Sequence, residues 1–124
     1  MGAVVNTVVE RADRRFQIWA YSVGMGRLLL RSTKSETFAT RHDVLFQNVK
    51  ALKLPTSLDG LVVAKADPAE ELRISAETGL LPSEGTTIFA VRAGIFDGYV
   101  IAGACVAMED SGEYFEPSRL WQEP

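Results

Sequence analysis

The sequence predicts a mainly β (α+β) protein: a single-domain antiparallel β roll or incomplete barrel of about six or seven strands with at least one short helix. Three observations carry that expectation. The stretches FQIWAYSVGMGRLLLRS (16–32) and TTIFAVRAGIFDGYVIAGACVAM (86–108) alternate apolar positions around glycine-containing turns, the pattern of hairpins. DVLFQNVKALKLP (43–55) alternates as a further strand. ADPAEELRISAETG (66–79) is the one segment with agreeing helix-end signals.

The first fifteen residues stay open between two readings: Val4, Val5, Val8, Val9 and Ala12 follow helical spacing, whereas four valines favour a strand. In the first hairpin, a two-residue turn at Gly24-Met25 or Met25-Gly26 places Trp19, Tyr21 and Val23 with Leu28 and Leu30 on one face. Arg27, Leu29 and Arg31 then share the other. Along 43–55, Val44 and Phe46 fall out of phase with Val49, Leu52 and Leu54, which predicts a bulge or short break near Gln47-Asn48. PTSLDG (55–60) reads as loop and LVVAKA (61–66) as a short strand.

The helix reading of 68–78 rests on Asp67 as N-cap, Pro68 at the first helical position, Glu70 at the third and Gly79 as a stop. The competing reading takes ELRIS as a strand after an Asp-Pro turn. In the second hairpin, Asp97-Gly98 suits a type I′ turn, because both residue types tolerate positive φ. With that turn, Phe89, Val91, Ala93, Ile95, Val100, Ala102, Ala104, Val106 and Met108 gather on one apolar face, the expected core. The opposite face, including Ile88, Ala90, Tyr99, Ile101, Gly103 and Cys105, is built of mostly small residues and predicts a closely approaching cover. Packing within the chain ranks first for that cover and a dimer contact second. Residues 109–124 form an acidic tail whose Tyr114, Phe115, Leu120 and Trp121 are expected to dock it on the domain.

Composition bounds the function. A length of 124 residues with 47% hydrophobic content fits one domain, 1–124, with its own core. The single cysteine, Cys105, permits no internal disulfide and points to a reducing, cytoplasmic setting. MGAVVNTVVERADRR does not resemble a secretory signal, and no apolar run reaches the roughly 18 residues of a membrane helix. The net charge of −3 hides an asymmetry: residues 1–53 carry nine Lys/Arg against four acids, and residues 54–124 four against twelve. Because the basic residues are spread out and not interleaved with aromatics, oppositely charged neighbouring strands explain this better than nucleic-acid binding.

The chemistry-bearing residues point away from catalysis. His42 and Cys105 are the only imidazole and thiol, short of the about four N or S ligands of zinc. Glu109, Asp110, Glu113 and Glu116 lack calcium-loop spacing, so no metal is expected. Cys105 lies in an apolar strand, where burial suppresses thiol reactivity. His42 is expected to be exposed at a strand start, with Asp43 on the opposite face and therefore no relay between them. Glu70 and Glu71 suit the helix N-terminus, and Asp59 and Asp97 suit turns. Gly24-Met25-Gly26 runs into an alternating strand and lacks the remaining residues of a phosphate loop, so no cofactor is implied.

What remains is a non-enzymatic binding or protein-interaction module, self-associating as a dimer or taking a protein partner. Its candidate surface is Tyr99, Ile101, Gly103, Tyr114, Phe115 and Trp121. The rival reading is a small-molecule binding protein or enzyme that holds an acidic, partly apolar ligand at the mouth of the curled sheet with Trp19, Tyr21, Arg27, Arg31 and Arg92.

Overall fold

A computed structural model describes residues 7–81 and 83–121. The opening valines at 4 and 5 and the last three residues of the tail lie outside the described residues. The chain forms β1 (Thr7–Ser22), β2 (Arg27–Ser32), β3 (Arg41–Gln47), β4 (Ala51–Lys53), β5 (Ser57–Lys65), α1 (Pro68–Thr78), β6 (Thr87–Ala93), β7 (Phe96–Ala102) and β8 (Ala104–Asp110). All pairings are antiparallel, in the order β4-β7-β6-β5-β1-β2-β3-β8.

The two ends of that order belong to the same two lengths of chain. β3 and β4 are one bent strand interrupted at Asn48, which takes a left-handed φ of 57°, and β7 and β8 are another interrupted at Gly103. Their ladder runs through the break: Gln47 pairs with Ala104, Gly103 N donates to Gln47 O at 2.8 Å, Lys50 N donates to Ile101 O at 2.7 Å, and Ala51 pairs with Ile101. The phase change read in 43–55 is therefore a bulge at Asn48. The sheet curls round on itself, and every strand except the outer half of β8 sends side chains to one interior. Phe16, Leu28, Leu30, Val44, Phe46, Leu58, Leu61, Val63, Phe89, Val91 and Val100 fill it, with Phe46 and Phe89 meeting edge to face at 5.7 Å.

α1 follows its end signals. Asp67 accepts from Glu70 N at 2.8 Å, Glu70 Oε1 accepts from Asp67 N at 3.0 Å, and Gly79 closes the helix at φ 75°. Ile74, the helix's buried residue, packs on Ile88, Tyr99 and Ile101. The small-residue face of β6–β7 is thus covered from within the chain.

Several expectations shift. β1 begins at Thr7, so the described part of the ambiguous opening is strand. β5 begins at Ser57, which takes most of PTSLDG into the sheet and places Asp59 in a strand. The β6–β7 turn is Gly94-Ile95, with Gly94 at φ 59°, and Ala93 pairs with Phe96; Asp97 and Gly98 lie inside β7. The reason is packing, since a Cβ on Gly98 would run into the Lys53 carbonyl of β4 and the Phe96 ring. Moving the turn three residues toward β6 preserves the strand faces, so Phe89, Val91, Val100 and Ala102 still point inward. Ile95, however, is fully exposed at the turn. Beyond Gly103 the bulge reverses the alternation: Cys105 packs against the core and Val106 is 40% exposed. In β1 a bulge between Ile18 and Ala20 turns Ile18 inward and removes Trp19 from the Leu28/Leu30 face. The first hairpin turns at Gly24-Met25, with Gly26 N donating to Val23 O at 3.3 Å, and Val23 stands exposed there.

Candidate interaction face

Alternation along β2 and β3 sends Leu29, Arg31, Asp43 and Leu45 to the outside of the roll, yet all four are buried. The tail meets Arg31 through its main-chain carbonyls and walls a cleft against Leu29. Arg31 and Asp43 are directly paired across β2–β3 and form a two-pronged ion pair, Nε to Oδ1 at 2.8 Å and Nη2 to Oδ2 at 3.1 Å. Arg41 and Asp110 repeat this across β3–β8 at 3.0 and 3.1 Å.

Each buried guanidinium then spends its remaining donors on the main chain of the tail. Arg31 Nη1 donates to the carbonyls of Tyr114 (3.1 Å) and Glu116 (3.0 Å). Arg41 Nη1 donates to those of Glu113 (3.0 Å) and Glu116 (2.6 Å), and Arg41 Nη2 reaches Pro117 O at 3.4 Å. Gly112 sits so close to the Arg41 guanidinium that a Cβ there would collide with it. The Arg41 pair holds the Asp110 carboxyl below the usual carboxylate range, helped by the Gly112 N–H.

Above these charges stand the aromatics. Trp19 meets Tyr114 at 5.1 Å and Phe115 at 6.1 Å, Tyr114 meets Phe115 at 4.5 Å, and Arg31 lies 5.1 Å from the Trp19 ring centre. Phe115 is 83% exposed and Tyr114 44%. Tyr21, paired with Leu28, is half exposed. A cleft of about 150 Å³ opens between Trp19, Leu29, Arg31, Phe115 and Trp121. This face presents apolar ring surface rimmed by polar groups.

A second polar cluster closes one mouth of the roll from inside. Buried Arg14 donates to Ser32 Oγ (3.0 Å), Thr40 O (2.6 Å) and Glu109 Oε2 (3.3 Å), and lies 4.3 Å from the Phe38 ring centre. Arg11 Nη1 lies 3.1 Å from Glu109 Oε1 and 3.4 Å from His42 Nδ1. His42 is buried, not exposed, because its ring packs edge-on against Phe16 at 5.5 Å. Burial, then the Arg11 charge, lowers its pKa. The Glu109 carboxyl is lowered by the Thr40 hydroxyl and then by Arg11.

Of the candidate surface, Tyr114, Phe115 and Trp121 lie together on the tail, whereas Tyr99 and Ile101 are buried beneath α1 and Gly103 sits in the bulge against Asn48. Of the ligand candidates, Trp19 and Arg31 meet at the tail, Arg27 lies 5.9 Å from the Trp121 ring centre, and Arg92 is elsewhere, bonded to Glu70 and near Asp97. Asp59 lies near Arg15 at 3.6 Å. Burial pushes the Cys105 thiol up to about 12. Sequence reasoning missed Arg14, Arg41, Asp43 and Asp110 as organisers. The available signal was charges at regular positions inside otherwise apolar strands, which in a buried setting demand partners.

The basic first half and acidic second half of the chain meet in ion pairs, Arg41 with Asp110 on the neighbouring strands β3 and β8, Arg11 and Arg14 of β1 with Glu109 of β8, and Lys34 with Glu113 outside the strands. Among the described residues, no group of three or more His, Cys, Asp or Glu is placed to hold a metal ion, and no helix is long and apolar enough to cross a membrane. Comparisons with protein-family models, curated proteins and solved structures find no match.

Proposed function

We propose that this chain is a non-enzymatic interaction module that self-associates through the aromatic face of Trp19, Tyr114 and Phe115. The observation that carries the reading is the exposure of Phe115 at 83% while its neighbours Trp19 and Tyr114 form a ring cluster beside it. Aromatic side chains gathered on an otherwise polar surface are the composition of interface centres. A reducing compartment suits its single cysteine.

Ligand binding at the sheet mouth is less well supported. The roll's interior holds Phe16, Phe46 and Phe89 in place of a ligand. The cleft beside Trp19 and Arg31 encloses about 150 Å³, below the several hundred typical of small-molecule sites. Light scattering after gel filtration, across a micromolar concentration series, tests the proposal. A mass rising toward twice that of the chain supports it, and a strictly monomeric mass removes the self-association part.

A further inference from the structure

We infer that residues 111–121 are a releasable strap, docked on the buried guanidinium forks of Arg31 and Arg41, and that docking assembles the aromatic face. The inference rests on the proposed role of that face for its purpose, but its geometry stands apart from it.

The strap carries no strand ladder of its own. Its internal main-chain bonds are single turns, Glu116 N to Glu113 O at 3.1 Å and Trp121 N to Ser118 O at 3.2 Å. Glu113, Phe115, Glu116, Pro117 and Arg119 are all exposed. Anchoring therefore falls chiefly to two foreign guanidinia that hold the carbonyls of 113, 114, 116 and 117, with Tyr114 and Phe115 resting on Trp19. Both guanidinia keep a sheet carboxylate when the strap leaves: Arg31 keeps Asp43 and Arg41 keeps Asp110. Release consequently leaves both buried guanidinia paired, and the open state costs their hydrogen bonds to the strap carbonyls and the strap's side of the cleft over Leu29. A segment held this way opens locally, well below the free energy of global unfolding. Gly112, two residues beyond the end of β8 and pressed against Arg41, is the hinge.

Arg31 and Arg41 are thus positioning residues for the face, not contact residues. The test is residue-resolved amide exchange on the full chain. In the native protein the hydrogen-bonded strap amides of Glu113, Glu116, Leu120 and Trp121 are expected to exchange as a group and faster than those of β2 and β3. Gly112→Ala is expected to speed that group by about tenfold or more while β2 and β3 stay protected. Arg41→Lys retains a cation for Asp110 but loses the fork, and is expected to act in the same direction. Strap amides as slow as those of β2 and β3, or strap exchange unmoved in both variants, would overturn the inference. So would equal acceleration of strap and sheet. Exchange is read at a concentration where light scattering shows the monomer, so that it reports the strap without burial of Tyr114 and Phe115 in a dimer, whereas failure of the aromatic face appears in the mass measurement.

Discussion

Arg41 and Asp110 occupy paired positions at the β3–β8 edge and meet through both prongs, at 3.0 and 3.1 Å, with side chains 1% and 7% exposed. The same arrangement recurs one strand over in Arg31 and Asp43. Removing one partner of such a pair strands the other charge out of water. Arg41→Met or Asp43→Asn is expected to lower stability by about 3 kcal/mol, read as a reduced urea midpoint. A change within experimental error would show the pairs to be solvated.

Acidification is expected to destabilise the fold. Asp110 and Glu109 have folded pKa values below their ordinary ones, held there by Arg41 and by Thr40 with Arg11. Their contribution is present above the unfolded values of about 4 and lost as pH falls through the folded ones. His42 is also depressed, by burial first and the Arg11 charge second, so the fold favours its neutral form. Its contribution is present above the unfolded value of about 6.5 and lost on acidification. The urea midpoint should therefore fall from pH 7 to pH 5 through His42, and further toward pH 3 through the carboxyls. His42→Gln should flatten the upper part; a midpoint that rises between pH 7 and pH 5 contradicts this.

Gly98 is expected to tolerate no side chain. Its Cβ direction meets the Lys53 carbonyl and the Phe96 ring, at the strand pair that joins β4 to the roll. Gly98→Ala should cost about 2–4 kcal/mol by urea denaturation, whereas Gly24→Ala, whose Cβ direction is open, should be mild. Equal effects would mean that β4 gives way easily.

These positions also mark where the sequence is readable. The helix was legible to its ends because Asp67, Pro68, Glu70 and Gly79 act locally. Strand faces were legible because period 2 survives a turn displaced by three residues in each arm, which is why Phe89 and Val100 were placed inward despite the wrong turn. The turn itself was not, because Asp97-Gly98 satisfies the local preference while the actual constraint comes from Lys53, forty-five residues earlier in the chain. Trp19 was misplaced by a bulge that leaves no local signature, and Val106 by another at Gly103. The organising arginines escaped because arginine is seldom fully buried, and burial here depends on a tail whose docking is mainly through its backbone. Tyr114 and Phe115 were legible as aromatics in an acidic tail; that Trp19 would be their seat was not.

The aromatic face is tested most directly by pairing two exposed apolar residues in one mass measurement. Phe115→Ser removes the centre of the face, whereas Ile95→Ser removes a still more exposed apolar side chain at the β6–β7 turn. With light scattering after gel filtration at matched micromolar concentrations, the native chain and Ile95→Ser should show the same self-associated mass, and Phe115→Ser should fall to the monomer while keeping its urea midpoint. A Phe115→Ser protein that associates as the native chain does, or loss of association in Ile95→Ser alone, would contradict the assignment of this face.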